Sequence, residues 1–274
     1  MTSVESVVPS AGWGSRGTVA SFVAQTMAVA EMEVRKLARD PAELVSRAVQ
    51  PVLWLIVFGQ VFTRTHAIPT GEMSYLEFMA PGVLAQGVLF TSIFYGIAVI
   101  WERDLGIIHK LLASPAPRAS LVLGKGLAAG ARGVPQAAII FVLAALLGLR
   151  LDVTPGALIA VFGLVVLGSA AFATFSLVVA CIVKTRERFM GIGQLLTMPL
   201  FFASNAIYPL ELMPGWLRVV ARVNPLTYLV DGLRASMIHG AVSRFGLGVD
   251  ALVVLVLLSL LVAVAARLYP GLAR

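Results

Sequence analysis

FMAPGVLAQGVLFTSIFYGIAVI, residues 78–100, carries no charged side chain, and it runs straight into WERDLGIIHKLLASP, residues 101–115. A membrane-spanning helix needs roughly 20 mostly apolar residues, so the first stretch reads as a span and the second as the loop it feeds. Five further windows pass the same test, at about 44–63, 127–149, 156–183, 189–208 and 248–266. The composition agrees: 59% of the 274 residues are hydrophobic and 13% are charged, with a mean hydropathy of +0.92. A soluble domain carries about 25% charged residues. The expected fold class is all-α: a polytopic membrane protein of six transmembrane helices.

Several chemistries drop out. Cys181 is the single cysteine, so there is no intramolecular disulfide and no CxxC site. His66, His109 and His239 lie outside span centres, and no HExxH or GxSxG motif occurs, which leaves no metal or hydrolase constellation. Lys125 sits in LGKG, but Ala119 stands where a P-loop needs its first glycine and Gly126 where it needs Ser or Thr. The chain therefore has no P-loop of its own. Mid-span Asp or Glu, the mark of an ion-coupled pump, is missing too. Energy for uphill movement should come from another subunit.

The net charge of +7 reads as membrane topology and not as nucleic-acid binding, because the bases sit in short loops between apolar runs. Twelve Lys and Arg fall on the side holding both termini and the loops after spans two and four, against six on the other side. The positive-inside rule puts both termini in the cytosol of a multi-pass cell-membrane protein. Ala- and Val-rich spans with Arg preferred over Lys suggest a bacterium of high GC content.

Residues 1–21 read as a disordered cytosolic tail, 22–40 as an amphipathic interfacial helix and 41–274 as the six-helix domain. In the interfacial helix Phe22, Val23, Met27, Val34 and Leu37 form the apolar side. Between spans five and six, Pro214 can open a short helix with Trp216, Leu217, Val220 and Val223 on one face and Arg218 and Arg222 on another. Asn224 then caps a second helix, with Pro225 at its first position, running toward Ile238. The pair is expected to be external and re-entrant. In the 101–115 loop, Leu105, Ile108 and Leu112 form one stripe of a helix with Asp104 near its start, stopped by Pro115 and Pro117.

Two motifs resemble one family. Glu102-Arg103-Asp104-Leu105-Gly106 followed by Leu111-Leu112-Ala113-Ser114-Pro115 is similar to the "ERE-x-G … LL-x-[ST]-P" signature of membrane subunits of type-2 ATP-binding-cassette exporters. Asn224-Pro225-Leu226-Thr227-Tyr228 with Asp231, Leu233 and Arg234 resembles the stretch before that family's last span. Tyr208-Pro209 and Met213-Pro214 resemble its approach to the external helices, and Asp104 replaces the commoner Glu. The resemblance implies a dimeric permease, homo- or heterodimeric, in contact with membrane lipid, each half binding a cytosolic ATPase that holds ATP and Mg. It implies no cofactor on this chain, which is then not itself an enzyme. The coupling surface would be the interfacial helix and a cytosolic coupling helix, with Glu102, Arg103, Asp104, Gly106 and Leu112 transmitting motion. Arg186, Glu187 and Arg188 would form a second contact or serve as a positive-inside anchor. Short loops and the lack of a carbohydrate-binding domain look more like the drug-resistance (daunorubicin-type) branch than the polysaccharide or glycolipid branches. A passive channel or scaffold is the reading from another class.

Substrate-pathway candidates come from polar residues inside spans. Arg132 lies seven residues beyond Lys125, about 10 Å deeper at helical rise, and must snorkel, pair or face water. Gln86, Gln136, Gln194 and Asn205 either line a path or bridge helices.

Overall fold

The computed structural model describes residues 18–37, 49–65, 68–71, 73–113, 116–183 and 185–273. Helix α1 is Thr18–Leu37, α2 is Val49–Arg64 with a π-helical middle at Trp54–Gly59, and α3 is Tyr75–Asp104. The short α4, Ile107–Leu112, leads to α5, Arg118–Leu146, α6, Pro155–Val183, and α7, Arg186–Phe202. Then come α8, Gly215–Val223, α9, Pro225–Met237, and α10, Leu247–Leu268, which ends in a 3-10 turn at Tyr269–Ala273. Among the described residues there is no strand.

Among the described residues four helices, α3, α5, α6 and the last, are long and apolar enough to cross a membrane. The other two expected spans are shorter here: α2 begins at 49, and the residues before it lie outside those described. Helix α7 stops at Phe202 and not at 208. Its last carbonyls are taken by a side chain from further along, since Asn224 Nδ2 donates to Leu200 O at 2.7 Å and to Ala203 O at 2.9 Å. Helix α1 starts at Thr18, four residues before the expected start of the interfacial helix; residues 1–17 and 38–40 lie outside those described.

Helix α3 is the axis of the bundle, buried almost continuously from Phe78 to Leu89. It is tied to α6 by Ser176, whose hydroxyl accepts the Gly96 N–H at 3.0 Å and donates to the Ile93 carbonyl. Helix α5 meets α6 through small residues, with Gly126 against Ala170 and Thr174 and Gly130 against Val166. Close packing of this kind is how helices associate where lipid is the solvent. Helix α1 lies on α5 through Thr26, Val29 and Ala30, all buried. Val23 and Met27 of its expected apolar side are exposed, so that side points away from the bundle and leaves an apolar stripe open.

The bundle has two distinguishable ends. At one, Val29 of α1, Ile108 of α4 and Tyr269 after α10 share an apolar cluster with Tyr95 and Val99. At the other, Ser74 caps α3 in a reciprocal box with Glu77, and Arg150 Nε donates to Glu77 at 2.9 Å. There a backbone clasp also joins the α5–α6 turn to the end of α9: Leu151 pairs with Ile238, Asp152 N donates to Met237 O at 2.9 Å, and His239 N to Arg150 O at 2.8 Å.

Candidate functional site

The end of α3 carries the motif residues. Helix α3 runs on through Glu102, Arg103 and Asp104, and the chain then turns at Leu105 and Gly106. Gly106 has φ 71°, a left-handed conformation that glycine adopts without steric penalty, and α4 starts at the next residue. The amphipathic helix is therefore shorter than its sequence pattern suggests. Leu105 lies in the turn, 68% exposed, while Ile108 is buried and Leu112 half-buried against the same cluster. Asp104 closes α3 and does not open α4.

Glu102 is buried at the foot of α3 and forms an ion pair with Lys125 of α5, itself 1% exposed. Burying either charge alone would be costly, so each holds the other in place. Asp104 is bound on two sides: Arg103 Nη2 donates to Oδ1 at 2.7 Å and Arg186 Nη2, from the start of α7, to Oδ2 at 2.6 Å. The Arg186 guanidinium also stacks 3.6 Å from the Trp101 ring centre. Glu187 and Arg188 are exposed. The two polar segments that the sequence treats separately are one assembly, the end of α3 clasped to the start of α7.

The pathway candidates separate. Arg132 lies over the Tyr95 ring, 4.9 Å from its centre, which answers the demand on a cation at depth. Thr91 donates to Gln136 Oε1 at 3.0 Å, linking α3 to α5, and Gln86 and Gln136 line a common cavity. Gln194 is exposed on α7. Asn205 is buried, and its carbonyl accepts Arg234 Nη2 at 2.8 Å.

The expected external helices form, and their motif residues build the fold. Asn224 Oδ1 accepts the Leu226 N–H at 3.0 Å as the cap of α9, with Pro225 at its first position. Tyr228 donates to Arg222 O at 2.7 Å and packs on Phe245. Asp231 Oδ2 accepts the Arg244 N–H at 2.7 Å and the Phe245 N–H at 3.2 Å, and Ser243 Oγ touches both Asp231 and Asp250. Arg234 is buried beneath the Phe78 ring and donates to Phe78 O at 3.0 Å. Burial pulls its pKa down to about 10, and Asp231 opposes the shift, so it stays cationic at neutral pH. Along α8, Trp216, Val219 and Val223 are exposed as one apolar face.

Sequence reasoning passed over three contacts: Lys125 with Glu102, Arg150 with Glu77, and Trp101 beneath Arg186. A usable signal existed for the first two, since each pairs opposite charges near span ends on the same side of the membrane.

Comparison with known proteins bears on the whole chain. Residues 24–238 match the ABC-2 type transporter family. The chain is 29% identical over 222 residues to the transport permease ycf38 of Cyanophora paradoxa, covering 80% of this chain and 76% of that one. It is 26% identical to the daunorubicin resistance ABC transporter permease DrrB1 of Streptomyces coeruleorubidus, over 97% of this chain and 95% of the relative. Nodulation protein J of Rhizobium meliloti is 25% identical over 77% of this chain and 80% of its own length.

Proposed function

The chain belongs to the ABC-2 type transporter family and is the membrane permease subunit of an ABC exporter. From that premise we propose that it carries a hydrophobic or amphipathic molecule, drug-like or lipid-like, from the cytosol or inner leaflet outward. A separate cytosolic ATPase, holding ATP and Mg, drives the movement. The similarity to a daunorubicin resistance permease over nearly the full length of both chains supports the drug-like class.

The observation that carries the coupling part is the clasp of Asp104 to Arg186, with Arg186 on Trp101. It makes the 101–112 segment and the head of α7 a single polar platform, next to α1 through Val29 and Ile108. A motor pressing on α4 would then move α3 and α7 together, and through Glu102 and Lys125 would move α5 as well.

This end is the cytosolic one in our reading, because Arg103 and Lys110, Arg186 and Arg188, and Arg267 near the end of α10 collect here. Helices α2 and α7 complete a set of six spans. Helix α7, 17 residues long, rises about 26 Å, close to the roughly 30 Å of a bilayer core. Exposed Leu195, Met198 and Phe202 on α7 suit a dimer seam with a second permease.

The test is co-purification. The chain is tagged, extracted in mild detergent, and its companions identified by mass spectrometry. A P-loop ATPase at one copy per permease is expected, and the double variant Asp104→Ala with Arg186→Ala should lose most of it. A permease that purifies alone under conditions that preserve ABC complexes would instead favour the motorless channel or scaffold.

A further inference from the structure

Halfway along α3 a cavity of about 130 Å³ opens between three helices, walled by Gln50 and Pro51 of α2, Gln86, Gly87 and Thr91 of α3, and Gln136 of α5. Gln86 and Gln136 are 4% and 3% exposed, so these amides are interior groups. Gln136 is held by the Thr91 hydroxyl. A Cβ at Gly87 would collide with Gln136 Nε2, so the absence of a side chain there is what lets that amide sit across α3. Among the described residues Gln86 Oε1 has no hydrogen-bond partner, although it is buried. Buried polar atoms of folded proteins are almost always paired, and an unpaired one beside a cavity is a place for a ligand's donor.

The wall has a definite chemistry. Among the described residues that line it, no side chain is ionisable. Primary amides both donate and accept, which matches a hydroxyl or carbonyl group. A cation entering so deep would meet no counter-charge in a region of low dielectric, and it would lose its hydration. Phe90 and Phe94 also line the space and offer flat apolar surface to a ring. Gln50 is exposed, and beside it on α2 Leu53 and Val57 are exposed too, so the entrance lies on an apolar flank.

We infer that this cavity is a substrate subsite, within one protomer, for the uncharged hydroxyl- or carbonyl-bearing head of an amphiphile dissolved in the membrane. The inference rests on the export reading above and narrows its substrate class. The amides of Gln86 and Gln136 bind the head, Gly87 leaves room for Gln136, and the apolar remainder of the molecule lies along α2.

The experiment uses the permease with its ATPase in nanodiscs of phosphatidylcholine and phosphatidylglycerol. The probes are two fluorescent amphiphiles of equal chain length, NBD-dodecyl glucoside and NBD-dodecyl trimethylammonium, read by anisotropy. The glucoside should bind about tenfold more tightly than the ammonium, a difference that polar matching alone can supply. Gln86→Leu and Gly87→Ala should each weaken glucoside binding about fivefold and leave ammonium binding within about twofold, a selectivity that general misfolding would not produce. Equal affinity for the two probes, or glucoside binding unchanged in Gln86→Leu, would overturn the subsite and leave water as its occupant. Displacement of the glucoside by excess free glucose would overturn the membrane origin of the ligand. Companion ATPase in the same discs reports on the export reading separately, so failure of one is distinguishable from failure of the other.

Discussion

Lys125 and Glu102 lie 23 residues apart, on different helices, and share one buried contact. Removing one partner of a buried pair leaves an uncompensated charge and typically costs about 3–5 kcal/mol, whereas replacing both with neutral residues is far milder. Lys125→Met should therefore lower the unfolding temperature of the detergent-solubilised protein markedly, and Lys125→Met with Glu102→Gln should recover most of the loss. Additive losses in the double variant would show that the pair does not act as a unit. The sequence identified Lys125 as a cation near the membrane interface but left its partner open. Pairing depends on how far α5 is rotated about its own axis, and a helix that is apolar on most sides gives little periodic signal for that angle. For Arg132 the sequence asks for snorkelling, a partner or water at depth, and the structure adds a contact that it does not foresee, the Tyr95 ring.

At the scale of elements, the caps were the readable part. Asn224 followed by Pro225 announces the start of α9, because the capping oxygen and the missing proline N–H are local needs. The same Asn224 ends α7 with its other amide atom, across more than 20 residues of chain, and no local pattern encodes that. For this reason the apolar run in the sequence extends past the true end of α7. The start of α4 differs for another: the stripe includes Leu105, but Gly106 takes a left-handed turn and breaks it. Contact between elements gives a sharper test. An added methyl at Gly96 would meet Ser176 and the Phe189 ring, so Gly96→Ala should loosen α3 from α6 and α7 and cost about 1–3 kcal/mol, as overpacking does. Gly163→Ala, on an open face of α6, should be neutral or slightly stabilising. Thermal melts of the two variants side by side check both expectations. Equal melting temperatures would mean that the α3–α6–α7 contact is looser than drawn.

For the molecule as a whole, apolar run length and loop charge carried the fold class, because the bilayer imposes its thickness on every span. They said little about which faces meet. Small residues direct the α5–α6 contact, yet the spacing of Gly126 and Gly130 says that a helix packs closely there and not that the helix is α6. Among the described residues the outward side of α7 has no partner, with Gln194 and Leu195 exposed. Gln194→Cys, introduced after Cys181→Ser removes the native thiol, should give disulfide-linked dimers in native membranes on mild oxidation. Exposed Val249→Cys on α10 should not. Cross-linking at Val249 with none at Gln194 would move the dimer seam to the other flank.

The clasp that binds the α5–α6 turn to the end of α9 is made of main-chain groups, with Leu151 facing Ile238 and Arg150 and Met237 lending their carbonyls. Amide and carbonyl groups are supplied by every residue except for the N–H that proline lacks. The pairing itself makes no demand on side chains, but Met237 and Ile238 are buried in the core and are held for that reason. Random substitution at half-buried Asp152 and exposed His239 should be accepted widely, with proline refused at both, where the N–H is the donor. Relatives that share little more than a quarter of their residues with this chain have room to diverge at the uncovered positions of the clasp without reshaping this end of the bundle.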